Sequence, residues 1–209
     1  AVDMRNHGDS PWISTHHYTD LGADLVELAE SLGTPIDLLG HSMGGKASMM
    51  ATLTRPDLIR KLIVADIAPV TYSHTQMMYI DAMRGIDLSN LERRSQAEAA
   101  LRAVIDDPIL PSFFTQSLDL KAKRWKLNLD TLAQEMQAIL SFPEVTGHFT
   151  GPTLFLTGAT SSYVLPEHRE RIKALFPKAK FAKIPGAGHW LHAEKPAEFE
   201  AAVRHFLAA

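Results

Sequence analysis

No cysteine occurs among the 209 residues. That excludes disulfides, zinc–thiolate centres and a thiol nucleophile together. No stretch approaches the length of apolar sequence that a membrane-spanning helix needs, so no membrane partner is expected. Neither sign of charge dominates: 21 Lys and Arg stand against 24 Asp and Glu, a net charge of -3. The total therefore carries no basic excess that would draw nucleic acid. Internal repeats and low-complexity tracts are also missing, which removes solenoids and tethering linkers from consideration. The first residues, Ala1-Val2-Asp3-Met4-Arg5, carry no signal-peptide pattern, and the expected location is cytoplasmic. What the chain does have is 45% hydrophobic and 22% charged residues, the balance of a globular protein with a sizeable core.

Periodicity gives the order of elements. Asn6-His7-Gly8-Asp9-Ser10-Pro11 is dense in turn formers. Leu21, Leu25, Leu28 and Leu32 recur at helical spacing, and Gly33 follows where a helix stops. Pro35-Ile36-Asp37-Leu38-Leu39 and Leu62-Ile63-Val64-Ala65 are short apolar runs that predict buried strands, with a helix over residues 46–54 between them. Residues 69–146 hold helical patterns, with Met77, Met78 and Met83 among them and no clear strand. Strands return at residues 153–158 and 180–184, and helices at 166–176 and 196–207. Strands that alternate with helices imply a mostly parallel sheet with helices on both faces. The division expected is a core of residues 1–68, a helical cap of 69–146 and a second core segment of 147–209. An insertion at that point is expected over the C-terminal ends of the strands, where α/β sheets take ligands.

Gly40-His41-Ser42-Met43-Gly44 has the form G-x-S-x-G between a strand and a helix, the setting of a nucleophile elbow. Ser42 is the candidate nucleophile, and the Met43 N–H, at the start of the following helix, the candidate oxyanion donor. Its flanking glycines are expected to let neighbouring backbone approach closely. A competing pattern overlaps it. Gly40 to Lys46 resembles a phosphate-binding loop, but Ala47 stands where a Ser or Thr must coordinate Mg²⁺. No metal or cofactor is therefore expected.

A serine hydroxyl needs a base. Of ten histidines, His189 lies in the glycine-rich stretch Gly186-Ala187-Gly188-His189 that follows the last strand, which is where this architecture places its base. His192 reads as a surface or helix-cap residue. The loop after the 153–158 strand, Gly158-Ala159-Thr160-Ser161-Ser162-Tyr163, contains no carboxylate. Asp66, at the end of the strand after the nucleophile helix, faces the same sheet edge as Ser42 and is the candidate acid. Its other reading is a turn cap before Pro69. His41 and Trp190, adjacent to the nucleophile and the base, are candidate substrate contacts. Lys121, Lys123, Arg124 and Lys126 read as a solvated helix face.

Four segments together resemble one group of proteins. Asp3-x-Arg5-Asn6-His7-Gly8-x-Ser10-Pro11, Gly40-His41-Ser42-Met43-Gly44-Gly45-Lys46, Asp66-Ile67-Ala68-Pro69 and Gly188-His189-Trp190-x-His192-Ala193-Glu194-Lys195-Pro196 are similar to YbfF-type bacterial esterases of the α/β-hydrolase superfamily. A mitochondrial abhydrolase shares the pattern. The resemblance implies a Ser-His-Asp hydrolase of short- to medium-chain carboxylic esters or acyl thioesters, and an acid after the sixth strand of the fold. It also implies that the cap is inserted there. The same triad serves carbon–carbon bond hydrolases, and the same fold serves ligand receptors with little turnover. Members of the group carry an oxyanion-donating loop and strands before the Asp3–Pro11 segment. A separate N-terminal polypeptide is therefore expected to complete the sheet and the oxyanion hole.

Overall fold

The computed structural model describes residues 1–209 and divides into two compact units. One comprises Ala1–His17 with Tyr72–Leu140, and the other Tyr18–Thr71 with Ser141–Ala209. Contacts thus group the first 17 residues with the inserted helices, where the division drawn from the sequence grouped them with the core.

The chain enters the second unit through α1 (Tyr18–Ser31), β1 (Ile36–His41), α2 (Met43–Thr54) and β2 (Ile59–Ala65). The inserted segment follows with α3 (Met77–Arg84), α4 (Arg94–Arg102), α5 (Leu110–Thr115), a hairpin of β3 (Leu118–Asp119) and β4 (Arg124–Trp125), α6 (Leu129–Gln134) and α7 (Met136–Leu140). It returns through β5 (Thr153–Gly158), α8 (Arg169–Leu175), β6 (Ala179–Ile184), α9 (Leu191–Glu194) and α10 (Pro196–Ala208).

Four strands pair in parallel in the order β1-β2-β5-β6. Alternation along each strand assigns the two faces. Ile63, Ala65, Leu154, Leu156 and Ile184 form one apolar cluster, against which Phe199, Val203 and Phe206 of α10 pack. Val64 and Phe155 point the other way. A Cβ on Gly45 of α2 would come within 3.3 Å of Val64, and the Phe155 ring lies 6.0 Å from Phe176 at the end of α8. Helices therefore cover both faces, as a parallel sheet requires. On α1 the buried stripe is Tyr18, Leu21, Gly22, Leu25 and Ala29, while Leu28 and Leu32 are exposed. Gly22 explains the rotation. A Cβ there would meet the Met50 Cβ at 2.9 Å, so α1 turns its smallest residue toward α2.

In the other unit, Ile80, Leu132, Met136 and Leu140 form a core of their own, with Met77 and Tyr72 packed beside them. Met83 is buried and Met78 exposed. Residues 118–125 form a hairpin there, so Arg124 lies on a strand and not on a helix face. Asn6 ties the first residues into this unit. It is fully buried at a left-handed φ of 67°. Its Oδ1 accepts from the Ile13 N–H and from Asn128 Nδ2, and its Nδ2 donates to the Thr15 carbonyl.

Candidate active site

Parallel pairing brings the C-terminal ends of all four strands to one edge, and each contributes to one cluster there. Ser42 follows β1, Asp66 follows β2, residues 159–163 follow Gly158 at the end of β5, and His189 lies in the loop after β6. The ladders continue one residue past the strands. The Ser42 N–H donates to the Ala65 carbonyl and the Asp66 N–H to the Leu156 carbonyl, both at 3.0 Å. Both side chains then leave the sheet from left-handed backbone, with φ 52° at Ser42 and 51° at Asp66. Such conformations cost a non-glycine residue about 1–3 kcal/mol each and persist only where the surroundings impose them.

Steric space at the elbow is asymmetric. A Cβ on Gly40 would lie 2.2 Å from the Gly44 carbonyl oxygen, and one on Gly45 2.6 Å from Ile67. Gly44 has nothing within 4 Å. Close approach therefore demands glycine at 40 and 45, not at both positions flanking the serine.

His189 bridges the other two side chains. Its Nδ1 lies 2.8 Å from Asp66 Oδ2 and its Nε2 3.0 Å from Ser42 Oγ. A carboxylate only accepts, so Nδ1 carries the proton and Nε2 is left to accept from the serine hydroxyl. Asp66 is wholly buried, and its carboxyl is saturated: Oδ1 accepts from the Gly158 N–H at 3.0 Å, and Oδ2 also accepts from Ser161 Oγ. The Tyr163 ring stacks on the imidazole with centroids 3.8 Å apart. Gly158, Ser161 and Tyr163 come from the loop that the sequence marked only by its lack of an acid. Its hydroxyls were the available signal, because a loop without a carboxylate can still hold one supplied by the neighbouring strand.

His41 and Trp190 flank this group. His41 Nε2 lies 2.8 Å from the His189 carbonyl oxygen, and both the His41 and the His189 ring lie 5.4 Å from Trp190. Burial pushes the His41 pKa down to about 3, helped by the neighbouring His189 and His192. His41 is thus a neutral donor. His192 is half-buried on α9. Its ring lies 4.6 Å from His41 and 6.0 Å from Phe199, its Nδ1 is buried without a hydrogen-bond partner, and burial lowers its pKa. Met43 opens α2, whose first-turn N–H groups point out along the helix axis beside Ser42.

Lys46, the residue that suggested a phosphate loop, is 1% exposed. It donates to the Ser141 carbonyl at 2.6 Å and lies 5.3 Å from the Tyr18 ring, and desolvation pushes its pKa down to about 7. No cluster of three or more His, Asp or Glu side chains is placed to hold a metal ion.

A strand-loop-helix serine in contact with an imidazole and a buried carboxylate, on a parallel sheet, is the arrangement of an α/β-hydrolase. The profile of the Alpha/beta hydrolase family matches residues 1–202, and the chain belongs to that family. Among its relatives is a mouse protein named sn-1-specific diacylglycerol lipase ABHD11, 41% identical over 100% of this chain and 71% of its own length. Esterase YbfF of Escherichia coli K12 is 35% identical over 99% of this chain and 81% of its own. The solved structure of a marine microorganism esterase superposes with a TM-score of 0.91 at 37% identity, covering 97% of this chain and 82% of that one. The chain is thus a hydrolase of the esterase and lipase type. No helix is long and apolar enough to cross a membrane.

Proposed function

We propose that this chain cleaves short- to medium-chain carboxylic esters or acyl thioesters through an acyl-enzyme on Ser42. The observation that carries the reading is the unbroken relay from Ser42 Oγ to His189 Nε2 and from His189 Nδ1 to Asp66 Oδ2, at 3.0 and 2.8 Å. Ser42 Oγ attacks the carbonyl carbon as Nε2 takes its proton, and Asp66 supports the imidazolium. The Met43 N–H donates to the oxyanion. The C–O or C–S bond breaks, and the leaving group departs with the proton from Nε2. Water, deprotonated by the same nitrogen, then releases the acid and restores Ser42.

An acyl ester is also the bond named for the mouse and bacterial relatives, a lipase and an esterase. The proposal includes a second oxyanion donor, from a further segment that would also pair with β1. In its support, β1 is an edge strand and its Leu39 is 42% exposed.

The experiment is hydrolysis of a p-nitrophenyl acetate-to-octanoate series, together with labelling by a fluorophosphonate. Ser42→Ala should abolish both. Turnover that survives in Ser42→Ala refutes the nucleophile. Labelling of Ser42 without ester turnover points instead to a carbon–carbon bond substrate or a ligand receptor.

A further inference from the structure

The residue proposed as base sits in a loop. Residues 185–190 form no helix or strand, and loops are ordinarily the most mobile parts of a fold. A proton relay tolerates little such movement, since a displacement of about 1 Å can cost about a hundredfold in rate. The physical question is what holds the His189 backbone still.

The polar backbone groups of this loop are held by hydrogen bonds on both sides of His189. Upstream, the Ala187 carbonyl accepts from both the N–H and the hydroxyl of Thr160, at 3.0 and 2.9 Å. The Gly188 N–H donates to Glu194 Oε2 at 2.8 Å, and the Trp190 N–H to Glu194 Oε1 at 3.1 Å. The His189 carbonyl accepts from His41 Nε2 at 2.8 Å. The Trp190 carbonyl accepts from the N–H groups of Ala193 and Glu194, both at 2.8 Å. One carboxylate therefore takes the N–H on each side of His189, and one imidazole takes the carbonyl between them. Glu194 is itself fixed at the end of α9, which is anchored by the fully buried Leu191.

We infer that Glu194 and His41 are positioning residues that clamp the backbone of the base, rather than groups that meet substrate or exchange its proton. This rests on the reading of His189 as base. The chemistry of each residue fits the role. Carboxylate–amide bonds are charge-assisted and stronger than neutral ones. A neutral His41 donates without placing a second cation against the imidazolium that forms 4.8 Å away.

The test compares kcat, KM and the fluorophosphonate labelling rate of Glu194→Ala, Glu194→Gln, His41→Leu, His41→Gln and His189→Ala, each normalised to folded protein by its melting transition. Glu194→Ala should lose about a hundredfold in kcat and in labelling rate, with KM within about twofold. Glu194→Gln keeps one acceptor of two and should lose about tenfold in kcat, between Glu194→Ala and the unaltered protein. His41→Gln retains a donor at the reach of Nε2 and should recover most of what His41→Leu loses. A folded Glu194→Ala with kcat within about threefold of the unaltered protein overturns the clamp. So does a His41→Leu that raises KM alone, because His41 would then be a substrate contact. If Glu194→Ala does not fold, Glu194→Gln decides by the same criteria. His189→Ala separates the two levels: retained activity there refutes the base itself, whereas its loss beside an active Glu194→Ala refutes only the clamp.

Discussion

Replacing Asp66 by Asn exchanges one buried oxygen for an NH₂ and should reverse the tautomer of His189. Two orientations of the amide are open. With its oxygen at the Oδ2 position, the NH₂ faces the Gly158 N–H, donor against donor, with no water to relieve it at a fully buried site. That costs about 1–3 kcal/mol. With its oxygen at Oδ1, the Gly158 bond is kept, the Ser161 hydroxyl rotates to accept, and the NH₂ donates to His189 Nδ1. The second orientation opposes no two donors at the buried site and prevails. Nδ1 then accepts, Nε2 carries the proton, and Ser42 faces a donor where it needs an acceptor. The loss should be about 10⁴-fold in kcat, or about 5 kcal/mol at 1.36 kcal/mol per decade. Initial rates with p-nitrophenyl butyrate measure it, and circular dichroism checks that the fold is unaltered. A kcat within tenfold of the unaltered protein refutes the tautomer argument, and with it the assignment of Asp66 as the acid.

Two further outcomes follow from packing and burial. Gly40→Ala should lower the melting temperature and abolish fluorophosphonate labelling, because its Cβ lands 2.2 Å from the Gly44 carbonyl, whereas Gly44→Ala, with open space around it, should leave the melting temperature unchanged or raise it. Equal melting temperatures for the two variants refute that reading of the elbow. Lys46→Met should flatten the pH dependence of stability between about pH 7 and the usual lysine range near 10.5. With its folded pKa lowered, Lys46 is deprotonated in the folded chain but protonated in the unfolded one across this window. The unfolded state then binds more protons, and stability rises with pH. Denaturant melts at pH 7 and pH 10 check it, and an identical slope in the variant contradicts a buried, titrating Lys46.

Local sequence determined much of this protein. Apolar runs marked β1, β2 and β5, alternation marked β6, and Pro and Gly punctuated the helices, because these signals act within a few residues. The elbow was legible for the same reason: G-x-S-x-G imposes its own turn. Chain order and loop position singled out His189 and Asp66. Tertiary structure decided what distant segments do to one another. The stripe that α1 buries was set by Gly22 meeting α2, not by leucine spacing. The first 17 residues were claimed by the inserted unit through Asn6 and Asn128, which lie 122 positions apart. Lys46, part of the phosphate-loop pattern that Ala47 argued against, became an interior donor to Ser141. The loop after β5 lacks a carboxylate in sequence, yet in space it saturates that of Asp66 through Gly158 and Ser161. These outcomes depend on which backbones the parallel sheet brings within hydrogen-bond reach at one edge, and no local pattern encodes a distance of that kind.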